Sequence, residues 1–241
     1  MCYYNRPNLV KFALNSLKNQ DYLDWEAVFV DDNSDVSMED YIRSLFPTHK
    51  IHYVNTHMTD EAKKENGGSI FGLYWNIAAS SCTADYGLML CDDDAMTPGY
   101  LSKVNDFFNN NPDSKWGYSH YLAYNPFEQD NFRQLVNLRQ SPCYNLPMNP
   151  DSKLDASQVV FHLEPFKKGE VGFPYPCTAN LDSALYRQLY PIFGDCPHMG
   201  CFGQFKGMGN NRLEVRQHDN QSIYSHQIDI NFDPFGGNIL E

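Results

Sequence analysis

The chain has 241 residues, 42% of them hydrophobic, which is enough for one large domain, or for a domain with a C-terminal extension. A formal net charge of -12 argues against a protein that grips nucleic acid by neutralising phosphates, because that takes clustered Lys and Arg. No apolar run reaches the ~18 residues of a membrane span and the first residues lack a signal-peptide pattern, so a cytoplasmic location is expected, with peripheral membrane association left open.

In chain order, Pro7 opens a segment with Leu9, Val10, Phe12, Ala13, Leu14 and Leu17 near helical spacing, which predicts a helix over 7–19. The run Trp25-Glu26-Ala27-Val28-Phe29-Val30 then ends abruptly in Asp31-Asp32-Asn33-Ser34-Asp35. It reads as a buried parallel strand whose C-terminal end opens into a polar loop, where open α/β sheets bind ligands. Residues 38–46 predict a helix stopped before Pro47, and 51–54 a short strand. The polar stretch 57–69, with Lys63, Lys64, Gly67 and Gly68, is expected to be a loop. A helix follows over 70–81, then a buried strand over 86–91 that again runs into acids, Asp92-Asp93-Asp94. Thr97-Pro98 opens a helix through Phe108, closed by Asn109-Asn110-Asn111-Pro112. Alternation over 116–124 suggests a further strand, prolines at 126, 142, 147 and 150 interrupt the pattern beyond it, and 181–190 reads as one more helix.

Seven cysteines, at 2, 82, 91, 143, 177, 196 and 201, make an odd count without a Cys-x-x-Cys pair, so reduced thiols are expected. Cys196, His198 and Cys201 lie close together, but a structural zinc would need a fourth ligand and a different spacing. Aromatic residues, 15% of the chain, recur in the second half over 118–124, at Tyr144 and in Phe173-Pro174-Tyr175. Ring faces suit sugars and nucleobases, yet core packing is their commoner role.

Three adjacent carboxylates after a strand repel one another by roughly 1 to 4 kcal/mol per pair at surface-like dielectric. A divalent cation removes that penalty, and hard oxygen ligands suit Mg²⁺ or Mn²⁺, whose shells are normally completed by water and phosphates. Taken alone, the run reads first as a solvated turn with Asp94 capping the next helix.

The run has ordered company. Tyr4-Asn5-Arg6-Pro7, Val30-Asp31-Asp32-Asn33-Ser34-Asp35, and Asn76-Ile77-Ala78 followed by Asp85-Tyr86-Gly87-Leu88-Met89-Leu90-Cys91-Asp92-Asp93-Asp94, Pro98 and Leu101 together resemble the family 2 glycosyltransferases over residues 3–125. The resemblance implies an α/β, GT-A (Rossmann-like) fold: a mostly parallel central sheet flanked by helices, with a less regular acceptor half. It divides a single domain softly into a nucleotide-sugar-binding half, 1–125, and an acceptor-binding half, 126–241. It further implies metal-assisted, inverting transfer of a sugar from a nucleotide diphosphate donor, with a UDP-sugar favoured, to a carbohydrate or other hydroxyl acceptor.

Carried over residue by residue, Tyr4, Asn5 and Arg6 form the opening nucleotide loop, and Asp32 accepts the base N3–H of uracil. Asn76 joins the donor site, Asp92 and Asp93 sit near ribose and metal, and Asp94, with Asp92, holds Mn²⁺ or Mg²⁺. Lys63 or Lys64 adds positive charge beside the diphosphate. The family's general base sits in a Glu-Asp pair that is missing here, which leaves Asp195, His198 and Asp182 as proton acceptors. The family's first, central strand is also reduced to Met1-Cys2-Tyr3, so either that strand is very short or the start lies upstream. His218-Asp219-Asn220-Gln221-Ser222-Ile223 and His226 faintly resemble a late His and Ser segment of related enzymes. Two other readings remain open: a nucleotidyltransferase, against which the absence of a Gly-rich basic first loop speaks, and an inert sugar-nucleotide-binding module.

Overall fold

A computed structural model describes residues 1–65, 70–124, 154–176 and 181–207. Three parallel strands form the first sheet, in the order β1 (Cys2–Tyr3), β2 (Glu26–Asp31), β3 (Lys50–Asn55). Val28, Phe29 and Val30 are all buried, the mark of a parallel strand covered on both faces. The first strand is thus short but present: Cys2 pairs with Val30 and Tyr3 with Asp31, and the Met1 ammonium donates to the Val28 carbonyl at 2.8 Å.

Helix α1 (Pro7–Lys18) starts on its proline and buries the predicted stripe from Leu9 to Leu17. Its exposed turn ends in Lys18, placed to complement the helix dipole. α2 (Glu39–Leu45) follows, and then α3 (Asp60–Glu65), a short helix inside the stretch expected to be loop. Its six residues, Asp60-Glu61-Ala62-Lys63-Lys64-Glu65, are good helix formers with acids first and lysines last, but no apolar periodicity marks them. α4 (Phe71–Ser81) matches the expected helix.

A second sheet has the order β4-β7-β6-β8-β5, formed by β4 (Tyr86–Leu88), β5 (Ala95–Met96), β6 (Trp116–Tyr124), β7 (Val159–His162) and β8 (His198–Gly207). Only β6 and β8 run parallel within it. The expected strand over 86–91 leaves its ladder after Leu88, because the chain turns there to reach the acids. The Met89 carbonyl is instead taken by the Gln204 side chain at 2.8 Å. α5 (Tyr100–Asn110) starts at Gly99, whose φ of 66° suits glycine, so Asp94 is not the cap of this helix. α6 (Glu164–Lys167) and α7 (Leu181–Phe193) complete the described elements, α7 running three residues past its expected end and through Pro191.

Two clusters form most of the core. One joins α1, β2, α2 and α5 through Leu14, Phe29, Ile42 and Tyr100; the other joins β6, β7 and α7 through Trp116, Phe161 and Leu185. Trp116, Tyr118 and Phe173 are buried, so these aromatics pack the core, as their commoner role predicts. Gly67, Gly68, the prolines at 126, 142, 147 and 150, Tyr144, and the segment with His218 and His226 lie outside the described residues.

Candidate active site

At the end of β2 the two neighbouring acids have different duties. Asp31 is fully buried and accepts from the Tyr53 hydroxyl at 2.6 Å, the Tyr3 hydroxyl at 3.3 Å and the Ser34 backbone N–H at 2.8 Å. It shapes the loop. Asp32 accepts from the Tyr74 hydroxyl of α4 and pairs with Lys63 of α3 at 3.0 Å. Burial pushes the Asp32 carboxyl above its ordinary range, against the lowering pull of Tyr74 and Lys63. Tyr74 carries no sequence signal of this role, since a tyrosine on a helix face reads as core.

Asn5 ties the opening loop to the loop after β2. Its backbone N–H donates to Ser34 Oγ at 3.0 Å, its Nδ2 to Asp35 Oδ2 at 3.2 Å, and its Oδ1 accepts from the Asp35 N–H at 2.8 Å. Asn5 and Asn33 hold φ of 50° and 59°, a left-handed conformation that asparagine tolerates better than most residues. Arg6, just before α1, reaches across to the second acidic loop. Its Nη1 lies 3.1 Å from Asp92 Oδ1 and 3.9 Å from Asp93 Oδ2. Cys2 lies close to both acidic loops: burial first, then Asp92 and Asp32, push its thiol up to about 12 although the N-terminal ammonium opposes them.

Asp92, Asp93 and Asp94 are all buried, which is expensive for carboxylates without partners. The Asp94 N–H closes a turn onto the Cys91 carbonyl at 3.2 Å. That turn brings Cys91 Sγ and oxygens of Asp93 and Asp94 within 4.8 Å of one another, a group able to share a divalent cation. Asp92, expected beside Asp94 as a metal ligand, faces Arg6, and Cys91 and Asp93 complete the trio. α1 and Gln20 just beyond it brace the chain that follows this turn. Ser16 Oγ accepts the Met96 N–H at 2.9 Å, and Gln20 bridges the Thr97 carbonyl and the Leu101 N–H at 3.0 and 3.1 Å.

A cavity of about 1170 Å³ is lined by residues of β2 and β4, by Arg6, Asp92 and Asp93, and by Trp75, Phe173, Asp155 and Asp182. Asn76 stands beside it with both ends of its amide on Phe173, donating to its carbonyl at 2.9 Å and accepting its N–H at 2.7 Å. It positions the wall. Of the three base candidates, half-buried Asp182 in the first turn of α7 lines the cavity. Asp195 is exposed, accepts from the Tyr190 hydroxyl at 3.1 Å and is not among the lining residues. Nor is His198, whose ring lies tilted against that of His120 with centroids 4.0 Å apart. Burial, and then His120, lower its pKa. Asp155, which no sequence motif marks, also lines the cavity, but its Oδ1 caps the 3-10 turn Ala156–Gln158 through Ser157.

Among the described residues the Cys196, His198 and Cys201 group does not gather as a metal set. Burial raises the Cys201 thiol to about 11 and the Cys196 thiol further. No described helix is long and apolar enough to cross a membrane.

A parallel strand edge carrying Asp32, joined through Arg6 to a buried acidic turn at a mixed second sheet, is the plan of a GT-A glycosyltransferase fold. The sequence profile of Glycosyl transferase family 2 matches residues 1–154, and the chain belongs to this family. The crystal structure of S. aureus TarS 1-349 superposes with a TM-score of 0.67 at 15% identity, covering 94% of this chain and 66% of that one. Structures of the same TarS fragment in complex with UDP and with UDP-GlcNAc superpose with TM-scores of 0.67 and 0.66, at 14% and 15% identity. They cover 94% and 93% of this chain and 66% and 59% of those. Protein CgeD of Bacillus subtilis (strain 168) is 27% identical over 118 residues, 48% of this chain and 27% of CgeD. The chain thus spans just under two thirds of TarS 1-349, and the aligned part about a quarter of CgeD.

Proposed function

We propose that this protein transfers a sugar from a nucleotide diphosphate donor, a UDP-sugar, to a hydroxyl acceptor, with inversion and with help from Mn²⁺ or Mg²⁺. One observation carries the reading. Arg6, Asp92 and Asp93 line a cavity that also holds a carboxylate suited to proton transfer, Asp182, while the Cys91, Asp93 and Asp94 turn at its rim suits a cation. Membership of Glycosyl transferase family 2 and the UDP and UDP-GlcNAc complexes of TarS support the donor class.

Residues 1–125 supply the donor half in this reading. Asp32 accepts the N3–H of uracil, Tyr4 offers a ring face to the base, and Asn5 holds the loop that carries both. Arg6 orients Asp92 towards the ribose. The donor set of two carboxylates and a thiol fits a divalent ion, and the thiol weights Mn²⁺ over Mg²⁺. When bound, that ion supplies Lewis-acid neutralisation of the charge that builds on the departing diphosphate.

Residues 126–241 supply the acceptor half. Asp182 takes the proton of the acceptor hydroxyl as that oxygen attacks the anomeric carbon from the face opposite the diphosphate, the arrangement that inverts configuration. Trp75 and Phe173, edge to face at 4.8 Å on the cavity wall, shield the reacting atoms from water.

The test is a nucleotide-sugar screen with Mn²⁺ that follows release of nucleotide diphosphate. Turnover of UDP-sugars in preference to GDP- or CDP-sugars is expected. If no nucleotide sugar is turned over but UDP binds in a metal-dependent way, the chain is an inert binding module. If UDP does not bind either, the transferase reading fails.

A further inference from the structure

Lys63 stands out among the surface lysines. α3, which carries it, buries none of its residues, and its neighbour Lys64 is exposed to solvent. Yet the Lys63 side chain is only 13% exposed. It reaches inward from a peripheral helix to Asp32, with Nζ 3.0 Å from Oδ2 and 3.3 Å from the Asp32 carbonyl. The same Nζ lies 4.1 Å from the centroid of the Tyr4 ring, and a second carboxylate, Asp60, stands 3.6 Å away. A lysine with no task stays in water, because its stem loses rotamer entropy and its ammonium loses hydration when withdrawn. Two attractions offset those losses here: an ion pair shielded from solvent and a cation over an aromatic face.

These are also the two groups that a pyrimidine base would use. Its imide N–H needs a carboxylate oxygen at about 2.7 to 3.2 Å, and Oδ1 of Asp32 is already engaged by the Tyr74 hydroxyl. Oδ2 is left, and Lys63 holds it at the distance the base requires. Stacking asks for the Tyr4 face beside Asp32, and Nζ covers that face. We propose that Lys63 is an affinity-determining residue of the nucleobase subsite: its ammonium occupies the place of the base between Asp32 and Tyr4, and a nucleotide binds by displacing it. The proposal rests on the reading of Asp32 as the acceptor for the base. Only the fraction of molecules with Lys63 swung out is competent to bind, so apparent affinity is reduced by that fraction.

The experiment uses uridine, which carries the base without the phosphates, so that the charge lost with Lys63 does not disturb a diphosphate interaction. Affinity is read by ligand-observed NMR, which reaches weak binders, and folding is checked by thermal unfolding. Lys63→Ala is expected to bind uridine at least about threefold more tightly than the wild type, because the competent fraction approaches one. Lys63→Met, which keeps the stem but not the ion pair, is expected to shift affinity in the same direction and guards against misfolding of the alanine variant. Lys18→Ala, at an exposed lysine in the last turn of α1, is expected to leave affinity unchanged. Unchanged uridine affinity in both Lys63 variants overturns the proposal, because the base then does not use the place of Nζ. Weakened affinity overturns it too, because Lys63 is then a ligand of the base. Asp32→Ala separates the two levels of inference. Loss of uridine binding in both the wild-type and the Lys63→Ala background supports the assignment of Asp32; binding that survives removes that assignment, whatever Lys63 does.

Discussion

The proposed donor and acceptor sides of the site are held in place by different means. On the donor side, Asp31 ends a short strand, Asp32 and the 92–94 run follow short strands, and each is tied down by a group from elsewhere in the chain: Tyr53 and Tyr3 on Asp31, Tyr74 on Asp32, Arg6 on Asp92. On the acceptor side, the three proton acceptors sit on the first turn of α7, in the turn after it and at the start of β8, and only Asp182 lines the cavity. Strand ends place chemistry close to where the sequence says they will, whereas a helix start or a turn places it only after packing has settled.

The strongest way to break this contrast is at the base. Asp182→Asn is expected to lower transfer by about 10²- to 10⁴-fold while UDP binding is retained. Asp195→Asn and His198→Ala should stay near wild-type turnover. If Asp195→Asn or His198→Ala is the variant that loses transfer with donor binding intact, the cavity lining is the wrong guide to the acceptor side.

On the donor side, Asp94→Ala is expected to reduce turnover by about 10²- to 10³-fold and to abolish the metal dependence of UDP binding. Asp92→Asn should cost less, because Asp92 is held by Arg6 and stands outside the Cys91, Asp93 and Asp94 trio. Metal titrations of UDP binding separate the two. Equal losses would put Asp92 among the ligands.

A smaller effect tests the seam between the sides. A Cβ at Gly203 of β8 would press on Ser119 Oγ and the Tyr100 ring, whose hydroxyls bond each other at 3.1 Å. The Gly203 carbonyl also accepts the Thr97 N–H at 2.9 Å, just beyond the acidic turn. Gly203→Ala is therefore expected to destabilise the fold by about 1 to 3 kcal/mol, measured by denaturant unfolding. A smaller change would mean that β8 shifts freely against α5.

The smallest expected effect is a pH dependence on the acceptor side. Burial lowers the pKa of both His120 and His198 from the ordinary 6.5. The unfolded chain then binds more protons than the folded one below about pH 6.5, so stability falls as pH drops through that value towards the lowered folded-state pKa. His120→Phe is expected to flatten this slope in thermal unfolding between pH 7 and 5. On the donor side the raised Asp32 carboxyl predicts that uridine binding fades on acidification at a higher pH than an ordinary carboxylate would give.

Much of the donor side is legible in the amino-acid order alone. Pro7 with its apolar stripe marks α1, and the unbroken Ala27-Val28-Phe29-Val30 run marks a parallel strand opening into acids. The loop expectation for 57–69 misses α3 because a six-residue helix without a buried face has no periodicity to read. Cys91 carries no signal of a ligand's role, since a thiol after an apolar strand reads as core.

The sequence by itself determined the family-like order of motifs, the strands that end in acids, and the residue types able to hold a base, a metal and a proton. Those follow from local rules: apolar runs make strands, and clustered carboxylates after a strand need a compensating charge. Only the tertiary structure decided how these groups are shared out. Arg6, 86 positions before Asp92, pairs with that carboxylate, which stands beside the Cys91, Asp93 and Asp94 group; Tyr74 and Lys63 occupy Asp32; and Asp182 alone of three candidate bases lines the cavity. The physical reason is that hydrogen bonds and ion pairs act over about 3 to 4 Å in space, and the sequence does not record which distant residues folding brings within that reach.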